Sequence, residues 1–123
     1  MHRLALTLTM LLAGVPATAQ SMPISEFLAR AEALQKKGAM ALFSRDIGVL
    51  KSEVVNSGKQ LRAEQVAAEK AGRKPATCLP AKKTEINSNE LLAHFRSIPP
   101  AQRNISVKAG FAGLMRKKFP CPA

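Results

Sequence analysis

The sequence predicts an all-α fold, a small bundle of about four helices closed by one disulfide, Cys78–Cys121. Three observations predict it. Apolar residues recur at three- and four-residue spacing in every long segment, and no stretch reads convincingly as a strand. Helix start and stop signals divide the chain into four parts. Only two cysteines occur in 123 residues, so a bridge between them has one connectivity.

The N-terminal stretch sets the compartment, and with it the reading of the cysteines. His2 and Arg3 make a short positive start, Leu4 to Val15 is almost wholly apolar, and Ala17-Thr18-Ala19 supplies a small-x-small cleavage pattern. Residues 1–19 are therefore expected to be a cleaved signal peptide, cut before Gln20, and residues 20–123 a single helical domain in the periplasm. The alternatives are a buried N-terminal helix or an uncleaved anchor. Against a membrane span, the apolar stretch is about a dozen residues, where a hydrocarbon core needs roughly 20. No later segment is apolar enough to cross a membrane, so stable membrane insertion is not expected.

In an oxidising compartment an even cysteine count reads as a structural bridge. Redox or metal-binding pairs use CxxC spacing or additional ligands, and after residue 19 the only histidine is His94. On the chain-entropy model a loop of this length contributes about 4 kcal/mol. That is comparable to much of a small domain's net stability.

The first helix follows Pro23-Ile24-Ser25, with Ser25 as its expected N-cap and Glu26 in the first turn. Phe27, Leu28, Ala31 and Leu34 form its apolar stripe, with Glu26–Arg30 and Glu32–Lys36 as acid-before-base pairs four apart. Gly38 ends it. A short apolar run, Met40, Leu42 and Phe43, precedes the longest element, which starts near Ser44 or Asp46 and runs towards Ala71. Ile47, Leu50, Val54, Leu61 and Ala68 share one stripe of that helix, while Lys51, Arg62, Glu64, Glu69 and Lys70 lie off it. Gly58 predicts a kink. The second half is poor in large apolar residues and is expected to project from the core.

Gly72-Arg73-Lys74-Pro75 stops the long helix, and residues 76–86 read as loop, with Cys78-Leu79-Pro80 at its start and Lys82-Lys83 exposed. Asn87-x-x-Glu90 resembles a capping box for the third helix. Leu91, Leu92, Phe95 and Ile98 make its buried face, and Pro99-Pro100 ends it. Ser106 caps the last helix, where Val107, Phe111 and Leu114 face inward and Arg116-Lys117-Lys118 suit the negative helix end. Gly110-x-x-Gly113 predicts close helix packing. The bridge then ties the exit of the long helix to the end of the last one.

The whole chain carries a formal +11, and removing Arg3 with the signal leaves +10. Such a balance favours acidic partners. Export argues against nucleic acid, and the absence of Trp and Tyr removes the usual stacking platforms of single-strand binders. No catalytic constellation stands out. His94 lacks a nucleophile with matching spacing, the eight acidic residues read mainly as capping or ion-pair groups, and no glycine-rich phosphate loop or metal-ligand spacing occurs. No cofactor and no enzymatic activity are expected.

Cys78-Leu79-Pro80 is followed by a helix with Leu91, Leu92 and Phe95, then Pro99-Pro100. A last helix with Phe111 and Leu114 and the terminal Phe119-Pro120-Cys121-Pro122 complete the pattern. In this order residues 76–122 resemble the Rap/Tai family of periplasmic immunity proteins linked to type VI secretion. The N-terminal half does not share the family's pattern. The resemblance implies a toxin–antitoxin role: an exported inhibitor that occludes the active site of a secreted peptidoglycan amidase, with some members acting as homodimers. The stiffened loop 79–86 and turn 99–105 then become the expected contact points, with Lys82, Lys83 and Arg103 facing an acidic rim. The alternative from charge alone is a basic envelope-associated protein binding anionic polymers or lipid headgroups.

Overall fold

In the computed structural model, which describes residues 22–82 and 86–122, four α-helices follow one another. They are α1 (Ile24–Lys37), α2 (Arg45–Lys70), α3 (Ser88–Ser97) and α4 (Val107–Lys118). Short 3₁₀ turns at Gly38–Phe43 and Pro100–Gln102 lie between α1 and α2 and between α3 and α4. The all-α architecture and the Cys78–Cys121 bridge agree with the sequence reading. The expected signal peptide, its cleavage site and Lys83 lie outside the described residues.

Helix α1 begins one residue before the expected cap, and the cap residue is Pro23, with no side-chain bond. Its first amides find backbone partners far along the chain. The Ile24 N–H donates to the Ile105 carbonyl at 2.9 Å and the Ser25 N–H to the Arg103 carbonyl at 2.9 Å. In return the Met22 carbonyl accepts from the Val107 N–H, the first of α4, at 2.8 Å. Ser106 Oγ accepts from the Ala109 N–H at 3.1 Å, as expected of that cap. The starts of α1 and α4 thus satisfy each other's free donors, and Ser25 has no capping role left to fill.

The core forms where that joint meets α3. Ile24, Phe95 and Val107 are wholly buried, and Phe27 stands edge-on to Phe95 with ring centroids 5.2 Å apart. Gly110 makes the approach possible, because a Cβ there would collide with Ile24 Cδ1 and lie 3.1 Å from the Phe95 ring. A Cβ at Gly113 would come 3.3 Å from His94 Nε2. The small-residue pair on α4 therefore serves close helix packing, as its spacing predicts.

Helix α2 starts on Ser44, whose Oγ accepts from the Asp46 N–H at 3.3 Å. It is α-helical throughout its 26 residues, Gly58 included. Leu50, Leu61 and Ala68 are buried, whereas Val54 and Ile47 are only partly covered. Ser57 joins the buried face, its hydroxyl donating to the Glu53 carbonyl at 2.7 Å. The second half packs on α4 instead of projecting from the core. Gly58 sits against the Phe111 ring, Leu61 and Ala68 are covered, and Glu64 pairs with Lys108. The small residues that make this stretch look like a poor core helix are what let α4 lie close against it.

Gly72, at φ +69°, closes α2: its N–H donates to the Glu69 carbonyl and the Arg73 N–H to the Ala68 carbonyl. Asn87 caps α3 through the Asn89 N–H at 2.8 Å. Glu90 does not complete the expected capping box but meets Lys118 Nζ at 2.9 Å, tying α3 to the end of α4. On α1, Glu26 bonds Arg30 as expected, and Arg30 extends to Asp46 of α2 at 3.1 Å.

Candidate partner-binding surface

The bridge joins residues 43 apart in sequence with Cα atoms 4.9 Å apart, and the Cys78 N–H donates to the Phe119 carbonyl at 3.1 Å. The segment beyond it is fastened to α2 by side chains. Gln65 Oε1 accepts from the Leu79 N–H at 2.9 Å while its Nε2 donates to the Leu79 carbonyl at 3.4 Å. Arg62 Nη2 donates to the Pro80 carbonyl at 2.6 Å. Residues 78–80 have no helical or sheet partners of their own, and these bonds take the place of a ladder. Covalent closure on one side and two α2 side chains on the other hold the segment in a preformed shape.

Lys82 lies exposed just beyond this fastening. Arg103 does not lie free beside it. It is half-buried, with Nε donating to the Ile98 carbonyl at 2.9 Å and Nη2 to the Arg96 carbonyl at 3.0 Å. It therefore satisfies the last carbonyls of α3 and braces the turn that caps α1. The segment before Lys82 is anchored on α2, and Arg103 is anchored on the end of α3.

Beside the fastened segment runs a shallow, open face of α2 lined by Lys59, Arg62, Ala63, Val66, Ala67 and Lys70. Val66 is 42% exposed there. The face presents three cations, Lys59, Arg62 and Lys70, around a small apolar strip. Arg62 and Lys70 lie off the core stripe of α2, as the sequence predicts. The available signal was the recurrence of Lys59, Ala63, Val66 and Lys70 at three- and four-residue spacing on one outward face.

His94 packs half-buried on α3 against α4. Its burial holds the imidazole below the ordinary histidine pKa of 6.5; the nearby Lys117 charge acts in the same direction, and a hydrogen bond with the Gly110 backbone opposes them. Among the described residues no three His, Cys, Asp or Glu side chains could share a metal ion. What the surface offers chemically is positive charge, a modest apolar strip and fixed backbone shape. No protein-family model, no curated protein and no solved structure matches the chain, so the functional reading rests on these features and on the sequence itself.

Proposed function

We propose that this chain is an exported immunity-type binding protein that inhibits a secreted peptidoglycan amidase by seating a preformed surface over its active site. The observation that carries the reading is the fastening of residues 78–80 by the bridge, Arg62 and Gln65, next to the basic face of α2. A surface already held in its binding shape loses little conformational entropy on association. The formed disulfide fits an oxidising compartment. The likeness of residues 76–122 to the Rap/Tai family supplies the class of partner. In this reading Lys59, Arg62, Lys70 and Lys82 meet acidic groups around the amidase cleft, and Arg103 positions the turn rather than touching the partner.

The experiment is a salt-titrated capture from the producing strain with the processed chain, from residue 20, its disulfide intact. The expected result is one stoichiometric protein that survives about 0.5 M salt, where exposed charge pairs alone are largely screened, and that degrades peptidoglycan. Recovery of salt-labile envelope material with no discrete protein contradicts the proposal. A second reading, a basic protein resting on anionic envelope material, is favoured by one observation outside this surface: the apolar turn between α1 and α2.

A further inference from the structure

The 3₁₀ turn Gly38–Phe43 buries none of its residues. Met40, Leu42 and Phe43 stand 66%, 79% and 83% exposed, more than any other large apolar side chain among the described residues. Isolated exposed apolar residues need no explanation, but three within four positions of one convex turn do. The turn is a fixed feature: the Gly38 N–H donates to the Gln35 carbonyl on one side, and Ser44 caps α2 on the other.

The charge around it is one-sided. Lys36, Lys37 and Arg45 flank the turn and are exposed, and residues 36–45 contain no acid. The nearest acids in sequence are Glu32, one turn before Lys36 on α1, and Asp46, which is paired with Arg30. A cationic collar around a protruding apolar tip matches an anionic bilayer surface, where lysine and arginine meet headgroup phosphates while apolar side chains enter the headgroup–acyl boundary. No helix among the described residues is long and apolar enough to cross a membrane, so the contact this geometry allows is interfacial and reversible.

We infer that the Gly38–Phe43 turn docks the protein on the surface of an anionic lipid bilayer, with Met40, Leu42 and Phe43 inserted and Lys36, Lys37 and Arg45 on the headgroups. The docking stands independently of the inhibitor reading. It uses the α1–α2 corner and leaves the bridge-held segment and the outward face of α2 to a protein partner.

The chain contains neither Trp nor Tyr, so Phe43→Trp introduces a single emitter at the tip. The test titrates this variant of the processed chain, disulfide intact, with vesicles of phosphatidylcholine alone or with about 30% phosphatidylglycerol, at low and high salt. The expected result is a blue-shifted emission with the anionic vesicles only. Adding Met40→Ser and Leu42→Ser weakens the partition roughly tenfold or more, since each removes buried apolar area. Lys36→Glu with Lys37→Glu weakens it by about 25-fold or more, at roughly fivefold for each cation lost. Circular dichroism stays helical in all of these, and the serine substitutions leave the melting temperature unchanged because the side chains are exposed. The Lys36→Glu, Lys37→Glu pair lowers it modestly, since acids are unfavourable at the negative end of α1.

No blue shift with anionic vesicles overturns the inference. So does vesicle binding that the serine substitutions leave intact, since that is general attraction of a basic protein and not insertion. A concentration-dependent blue shift without lipid, accompanied by dimer in sedimentation, overturns it as well and assigns the turn to a second copy of the chain.

Discussion

Ile24, Phe95 and Val107 expose none of their surface where α1, α3 and α4 meet, whereas the equally apolar Met40, Leu42 and Phe43 stand in solvent between α1 and α2. Composition does not separate the two groups; backbone anchoring does. At the joint, reciprocal hydrogen bonds between residues 22–25 and 103–107 bring two helix starts together, and Gly110 lets side chains close over them. At the turn, six residues run directly from the cap of α1 to the cap of α2, and none of them is buried. Apolar residues enter a core only where the chain can bring surfaces together, and those left out are available to something else.

Four perturbations sharpen this contrast, beginning with the largest. Phe95→Ala removes a fully buried ring and its edge-on partner, and is expected to lower stability by roughly 3–5 kcal/mol. The matched Phe43→Ala should stay within about 0.5 kcal/mol. Urea unfolding of the pair measures both, and a comparable loss in the two would remove the distinction between joint and turn.

Replacing Cys78 and Cys121 together by Ala is expected to lower stability by about 4 kcal/mol on the chain-entropy model. Arg62 and Gln65 would still hold residues 79 and 80 to α2. Hydrogen exchange should therefore rise more at the amides of residues 119 and 121 than at Leu79. Uniform loss of protection across both would show that the side-chain fastening has no independent role.

Gly110→Ala adds a Cβ into Ile24, which is wholly buried and cannot swing aside without moving its neighbours. A loss of about 1–3 kcal/mol is expected, offset in part by Ala's better helix propensity. A gain in melting temperature would mean that α1 and α4 are less tightly joined than their hydrogen bonds imply. Gly58→Ala makes the comparison on α2, where the new Cβ meets Phe111 at an ordinary 3.8 Å. There the propensity gain, up to about 1 kcal/mol, should dominate.

The smallest effect concerns pH. His94 has a lowered pKa in the folded chain, so on acidification the unfolded chain takes up the proton first. Stability is full above the ordinary histidine value of 6.5, falls as pH drops through it, and levels off below the lowered folded value. His94→Gln should flatten that window in melting curves recorded from neutral to acidic pH. A stability that rises on acidification through the same window would reverse the assigned sign.

Much of the fold was legible because its signals are local. Ser44, Asn87 and Ser106 cap helices within three residues of themselves, Gly38 and Gly72 end them, and two cysteines allow one bridge. What was not legible depends on residues far apart in sequence. Ser25 reads as a cap until carbonyls near residue 104 take its place, and Glu90 reads as half of a capping box until Lys118 reaches it. The second half of α2 looks like a poor core helix until Phe111 arrives against Gly58. At the candidate surface, Lys82 was legible as an exposed loop residue. The bracing role of Arg103 depends on carbonyls at the end of α3, and the outward face of α2 resembles any solvated helix face until Arg62 reaches the Pro80 carbonyl.

Titration of a captured peptidoglycan hydrolase with the oxidised processed chain tests the central claim of partner inhibition most directly. Hydrolysis is predicted to fall linearly to zero at one equivalent. A Lys59→Glu, Lys82→Glu variant that melts like the parent should need at least about tenfold more protein, as expected when rim charges oppose their partners. Undiminished hydrolysis at about a tenfold excess of the parent protein, with a dissociation constant far below those concentrations, would contradict inhibition and leave binding alone.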